Sequence, residues 1–177
     1  EAALDALVAA QGANDVEDVY PLSPLQQGML FHSAYAPGSD PFFNQIACSL
    51  SLDVDLDALR AAFAQLFARH ATLRSGFVTA PLVQIVHRGA CPDIQQHEWP
   101  DVAPGDVEPA IDALMRDDRA RGVDLERAPL SRVLLVRTPE RVWLVWAFHH
   151  LLVDGWSLPI LFNELFTLYD ALRRGHP

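Results

Sequence analysis

Val142-Trp143-Leu144-Val145-Trp146-Ala147-Phe148-His149-His150-Leu151-Leu152-Val153-Asp154-Gly155-Trp156-Ser157 runs from an apolar strand, through two histidines and an Asp-Gly turn, to a helix start. The first seven residues are apolar on both faces, which marks a strand central to its sheet. Upstream, Leu130 to Arg137 forms a second apolar run, and Thr138-Pro139-Glu140 supplies a turn, so the two runs read as an antiparallel hairpin. Downstream, Leu158, Leu161, Leu165, Leu168 and Leu172 repeat at helical spacing, with Ser157 as the candidate cap.

The same reading extends outward. Ile46, Cys48, Leu50 and Leu52 alternate with polar or small residues, as in a strand with one face in the core. Leu56, Leu59, Phe63, Leu66, Phe67 and His70 follow a helical period, and Asp55 and Asp57 suit its positive end. Thr72 to Val78 and Leu82 to His87 read as strands around Thr79-Ala80-Pro81. Arg88 to Gly105 has several prolines and no period and reads as loop, and Val107 to Arg119 as an amphipathic helix. Near the start, Ala2 to Ala10 reads as a short helix stopped by Gly12, and Ala13 to Val19 as an acidic linker. Ser23, Pro24 and Gln26 form a capping box with proline at the first helical position. Gly28 inside that helix costs about 1 kcal/mol relative to alanine, which points to close approach of another backbone or a ligand. The pattern as a whole is α/β, an α+β sandwich of a mixed sheet with flanking helices.

Composition narrows the function. The chain has 177 residues, half of them hydrophobic, which is a globular composition and room for one domain. A chain this size buries roughly 70% of the surface it exposes when unfolded. Thirteen basic against twenty-three acidic residues give a net charge of −10, which disfavours nucleic acid and anionic membranes as partners. Cys48 and Cys91 have neither metal-ligand spacing nor the density of a disulfide scaffold. With no signal-peptide pattern at Glu1 to Ala10, the expected setting is cytoplasmic.

The chemistry is concentrated at the strand end. Adjacent side chains there point to opposite faces, so His149 and His150 do not chelate one metal, and no metal site is expected. One imidazole faces the core and the other a cavity. A neutral imidazole accepts a proton near neutral pH, yet two hydrogen-bonded core histidines fit the same spacing. Asp154 either orients an imidazole or pairs with an arginine to shape the loop. His70 reads as structural at a helix end; His32, His87, His97 and His176 read as surface or edge residues; tryptophans and phenylalanines read as core.

His149 to Ser157 resembles the His-His-x-x-x-Asp-Gly signature of nonribosomal peptide synthetase condensation domains. Other stretches match that family in order: Tyr20 to Ser33 (YPLSPLQQGMLFHS), Arg69 to Phe77 (RHATLRSGF), Val123 to Arg132 (VDLERAPLSR) and Glu164 to Leu172 (ELFTLYDAL). The resemblance implies a chloramphenicol acetyltransferase-like lobe over residues 18–177, the N-terminal half of a two-lobed domain with a tunnel between lobes. Residues 1–17 would then be a linker or the tail of a preceding carrier or epimerisation domain. It further implies amide-bond formation between aminoacyl or peptidyl thioesters carried on the phosphopantetheine arms of partner carrier domains. No intrinsic cofactor is implied. The implied partners are carrier domains, the second lobe, and neighbouring adenylation or epimerisation domains.

Carried over residue by residue, His150 would be catalytic, deprotonating the attacking amine or positioning it, and His149 structural. Asp154 would pair with Arg74, and Gly155 would give a tight turn and admit the pantetheine arm. Gly28, Trp156 and Ser157 are candidates for the substrate tunnel. The opening motif and DGWSLPIL look like the subtype that accepts a D-configured donor. The alternatives are a coenzyme A-dependent acyltransferase of the same fold and a non-catalytic folding or docking module.

Overall fold

The computed structural model describes residues 2–35 and 40–175. His176 lies outside them. Twelve regular elements follow in order: α1 (Ala2–Ala10), β1 (Val16–Pro21), α2 (Pro24–Tyr35), β2 (Phe43–Leu50), α3 (Leu56–Arg69), β3 (Ser75–Thr79), β4 (Leu82–His87), β5 (Asp93–Glu98), α4 (Val107–Ala120), β6 (Ser131–Arg137), β7 (Val142–His149) and α5 (Ser157–Arg173). Short 3-10 turns cover Ala71–Arg74 and Pro104–Asp106. None of the described helices is long and apolar enough to cross a membrane.

The main sheet has the order β2-β7-β6-β5; β5 and β6 are parallel and the other pairs antiparallel. The hairpin β6–β7 sits in the middle, as its two-sided apolar pattern requires. One face packs on α3 and α5 through Phe63, Phe67, Leu161 and Leu165, with Leu144, Trp146 and Phe148 from β7. The other face packs on α4 through Ile111, with Leu134, Val136 and Val145. Trp146 is fully buried and meets Phe63 edge to face, and its indole N–H donates to Ser131 Oγ (2.8 Å). That bond satisfies the polar edge of the largest core side chain.

A second, three-stranded antiparallel sheet has the order β1-β4-β3. The segment read as a linker, Ala13 to Val19, instead enters this sheet: Val16 begins β1, pairs with His87 and is buried. The acidic alternation that suggested a linker belongs to an edge strand whose outer face meets solvent. Leu7 and Val8 of α1 pack beside Val16, Val78 and Ile85. Gly12 stops α1 at φ +86°, in the left-handed region that favours glycine.

Arg88 to Gly105, read as loop, contains β5. Its sequence DIQQHE is polar because it edges the main sheet. His97 on this strand has its Nε2 buried without a partner among the described residues. His87, read as a surface or edge residue, is buried and its Nδ1 lies 2.9 Å from Asp15 Oδ2. Gly76 of β3 allows a close passage: a Cβ there would lie 2.6 Å from Glu126 O, while Phe77 N–H donates to Leu125 O at 2.7 Å. The stretch Val123 to Arg132 thus lies along β3.

The aromatic side chains are not all core. Trp156 is 89% exposed and Phe31 65% exposed, on the start of α5 and on α2. Gly28 is also exposed, and nothing lies within 4 Å of a Cβ built there, so no neighbouring backbone explains it.

Candidate active site

The site forms where β7 ends. Backbone bonds from His149 N to Leu130 O (3.0 Å) and from His150 N to Phe42 O (2.9 Å) anchor the two histidines between neighbouring chain segments. As expected for adjacent strand residues, they diverge. His149 is completely buried. Its Nδ1 accepts from Leu151 N–H (3.0 Å), so in the neutral ring the proton sits on Nε2. That Nε2–H faces Asp40 Oδ2 (3.0 Å) and Ser33 Oγ (3.1 Å). Burial pushes the His149 imidazole below its ordinary value of 6.5, and the Asp40 carboxylate opposes this only in part.

His149 thereby ties stability to pH. The unfolded chain takes up a proton at His149 as pH falls below 6.5, whereas the folded chain resists it. The contribution of His149 is therefore complete above 6.5 and is lost as pH falls toward the lower folded value. A His149→Gln variant should show a shallower loss of urea midpoint than the wild type below pH 6.5. Parallel midpoint curves for the two chains would contradict this assignment.

His150 is half-buried, and its ring meets Phe148 edge to face at 6.1 Å. Its Nδ1 lies 2.9 Å from Val153 O, a carbonyl that can only accept, so Nδ1 carries the proton. The lone pair of the neutral ring is then on Nε2, which has no hydrogen-bond partner among the described residues. That is the state a proton acceptor or an amine-positioning group needs.

The loop after the histidines is held differently from the expectation. Asp154 does not pair with Arg74. Its Oδ1 accepts from Ser157 N (2.8 Å) and Ser157 Oγ (2.7 Å), which lowers the Asp154 carboxyl below its usual range. Asp154 therefore caps α5, and Ser157, read as the cap, is the residue capped. Gly155 has no positive φ and nothing within 4 Å of a built Cβ, so the turn itself makes no demand for glycine; the open space beside it remains.

Arg74 is buried and makes its contacts to α3, β4 and β1. Its guanidinium grips Glu17 of β1 bidentately (Nη1–Oε2 2.7 Å, Nη2–Oε1 3.2 Å) and donates to Phe67 O (2.9 Å) and His87 O. The Arg74 hydrogen bond holds the Glu17 carboxyl below its usual range. Thr72 ties the same stretch to the histidine loop, donating from Oγ1 to Leu152 O at 2.8 Å. Arg69 and His70 bind Glu164 of α5, with His70 Nε2 2.6 Å from Oε2. Ser33, Asp40 and Thr72 are the site residues sequence reasoning missed.

A cavity of about 850 Å³ opens on the His149 side of the sheet. Ser33 and Asp40 line it together with Leu30, Phe43, Phe77 and Leu125. His150 does not, nor do Gly28, Trp156 or Ser157. Gly28 and Trp156 lie on exposed surface, and Ser157 is half-buried. Among the described residues no group of three or more His, Cys, Asp or Glu could hold a metal.

Known proteins give this geometry a context. The chain is 39% identical over 165 residues to one of the proteins that make up linear gramicidin synthase in Brevibacillus parabrevis, covering 91% of this chain and 2% of that protein. It is 34% identical over 167 residues to bacitracin synthase 1 of Bacillus licheniformis, covering 92% and 3%. The starter condensation domain of rhizomide synthetase RzmA superposes with a TM-score of 0.80 at 22% identity, over 91% of this chain and 41% of that one, and so shares its fold. The chain thus spans a few per cent of these relatives and about two fifths of that domain. The Condensation domain model matches residues 16–177, from the first residue of β1 through the histidine loop and α5, and the chain belongs to the condensation domain family of nonribosomal peptide synthetases.

Proposed function

We infer that the chain is the histidine-bearing N-terminal lobe of a condensation domain that forms amide bonds between two carrier-bound thioesters. The observation that carries this reading is His150: Nδ1 is fixed on Val153 O, and the Nε2 lone pair has no partner among the described residues at the end of the central strand. In the reaction, the acceptor amine attacks the donor thioester carbon. Nε2 takes the amine proton, or holds the amine in line, while the new C–N bond forms. The C–S bond then breaks, and the departing thiolate of the donor arm receives the proton. Phosphopantetheine is supplied by the carrier domains, which are the partners along with the second lobe and the neighbouring adenylation or epimerisation domains. A cytoplasmic setting suits the two unpaired cysteines, Cys48 and Cys91.

Preorganisation needs both walls of a tunnel, because a positioned reactant and a water-excluding site supply most of the rate. His150 is half-buried in this chain. The chain alone is therefore expected to fold without condensing substrates, and joining it to the second lobe of its synthetase should restore amide formation. The test is single-turnover condensation with carriers loaded with D- or L-configured donors, beside a coenzyme A thioester donor. Faster reaction with the D-configured donor fits the subtype reading. Turnover of the coenzyme A thioester with a free amine, and none of the carrier-bound pair, would favour the acyltransferase alternative.

A further inference from the structure

We propose that Asp40, assisted by Ser33, is a positioning residue that sets the orientation of His150 by bracing the backbone on both sides of it. The two oxygens of this one carboxylate have separate tasks. Oδ2 takes the His149 Nε2–H (3.0 Å), and His149 Nδ1 in turn accepts the Leu151 N–H (3.0 Å), which fixes the chain just after His150. Oδ1 takes the Phe42 N–H (2.9 Å), and Phe42 O accepts the N–H of His150 itself (2.9 Å). Ser33 Oγ, at 3.1 Å, is the second group on His149 Nε2. Within this frame Val153 O fixes the His150 ring.

The chemistry of the pair requires a carboxylate. Asp40 has a side chain only 12% exposed, and burying an anion is costly unless its oxygens are well used. Both oxygens accept here, and an amide cannot reproduce that, because one of its two terminal atoms is a donor. An asparagine that turned its NH2 toward His149 would demand the other tautomer, whose Nδ1–H would confront the Leu151 N–H. One that turned its NH2 toward Phe42 would oppose a backbone donor and push the strand that holds His150. Either way the reactive ring moves, and misplacement of about 1 Å can cost about 10²-fold in rate.

The kinetic part of this proposal rests on the reading of His150 as the reacting group, whereas the spectroscopic part does not. Long-range imidazole 1H–15N spectra of this chain, with the rings neutral, should show the proton of His149 on Nε2 and that of His150 on Nδ1. Asp40→Asn should convert His150 to a mixture of tautomers. In the complete domain it should lower kcat about 10²-fold with KM unchanged. Ser33→Ala, which removes one of two acceptors and little volume, should shift the same signals and lower kcat about tenfold; it carries the test should Asp40→Asn fail to fold. Wild-type tautomers at His150 in the variants, or a kcat within about twofold of wild type, would overturn the proposal, even with a lowered melting temperature. A wild-type domain that forms no amide at all would instead refute the functional reading and leave the tautomers to decide this one.

Discussion

Replacing Arg74 with alanine is expected to destabilise the chain by about 2–4 kcal/mol, because buried acceptors lose a charged donor and gain nothing in return. Arg74 is 4% exposed and donates to Phe67 O and His87 O as well as to Glu17, so the loss falls on α3, β4 and β1 together. Arg74→Lys should recover only part of it, since a point charge cannot reproduce the bidentate fork. Asp154→Ala removes a cap at the exposed start of α5 and should be milder. Because Arg74 and Asp154 share no partner among the described residues, their effects on the urea midpoint should add. Strong coupling between them would restore the ion pair that the signature's resemblance implied and that the structure replaces with two separate contacts.

The elements with strong periodicity were legible in the sequence. The β6–β7 hairpin, α3 and α5 follow apolar patterns that only one placement satisfies, and the Ser23–Gln26 capping box forms as read, with Ser23 N–H to Gln26 Oε1 at 3.0 Å and Gln26 N–H to Ser23 Oγ at 3.2 Å. Asp55 likewise caps α3 through Asp57 N–H and Ala58 N–H. The edge strands β1 and β5 were not legible, because their side chains are mostly polar and backbone pairing holds them in place, whereas the edge strand β2 keeps an apolar alternation. The divergence of His149 and His150 followed from strand geometry alone. What holds them did not: Ser33 and Asp40 reach His149 from more than a hundred residues away, through a serine and an aspartate with no local signal. Arg74, expected to pair with Asp154, pairs with Glu17 instead. A motif fixes which residues matter, while Glu17 is reached only through the pairing of β1 with β4.

His150→Ala is expected to remove amide formation without removing the fold. Among the described residues the ring makes one hydrogen bond, to the carbonyl of a residue three positions on, so its loss costs about 1 kcal/mol. A positioned imidazole that moves a proton in the transition state contributes about 10²–10⁴-fold in rate. His149→Ala differs, since that ring is completely buried and its loss strips Asp40, Ser33 and Leu151 N–H of a shared partner. The pair should therefore separate cleanly, one variant folded and inactive, the other poorly folded. The role of His150 is tested by single-turnover condensation with the complete domain, wild type against His150→Ala, with both carriers loaded. Amide product is expected from the wild type, and a rate at least about 10²-fold lower from a variant with unchanged melting behaviour. Equal rates from the two would contradict that role, and would place the chemistry on a group other than the histidine at the end of β7.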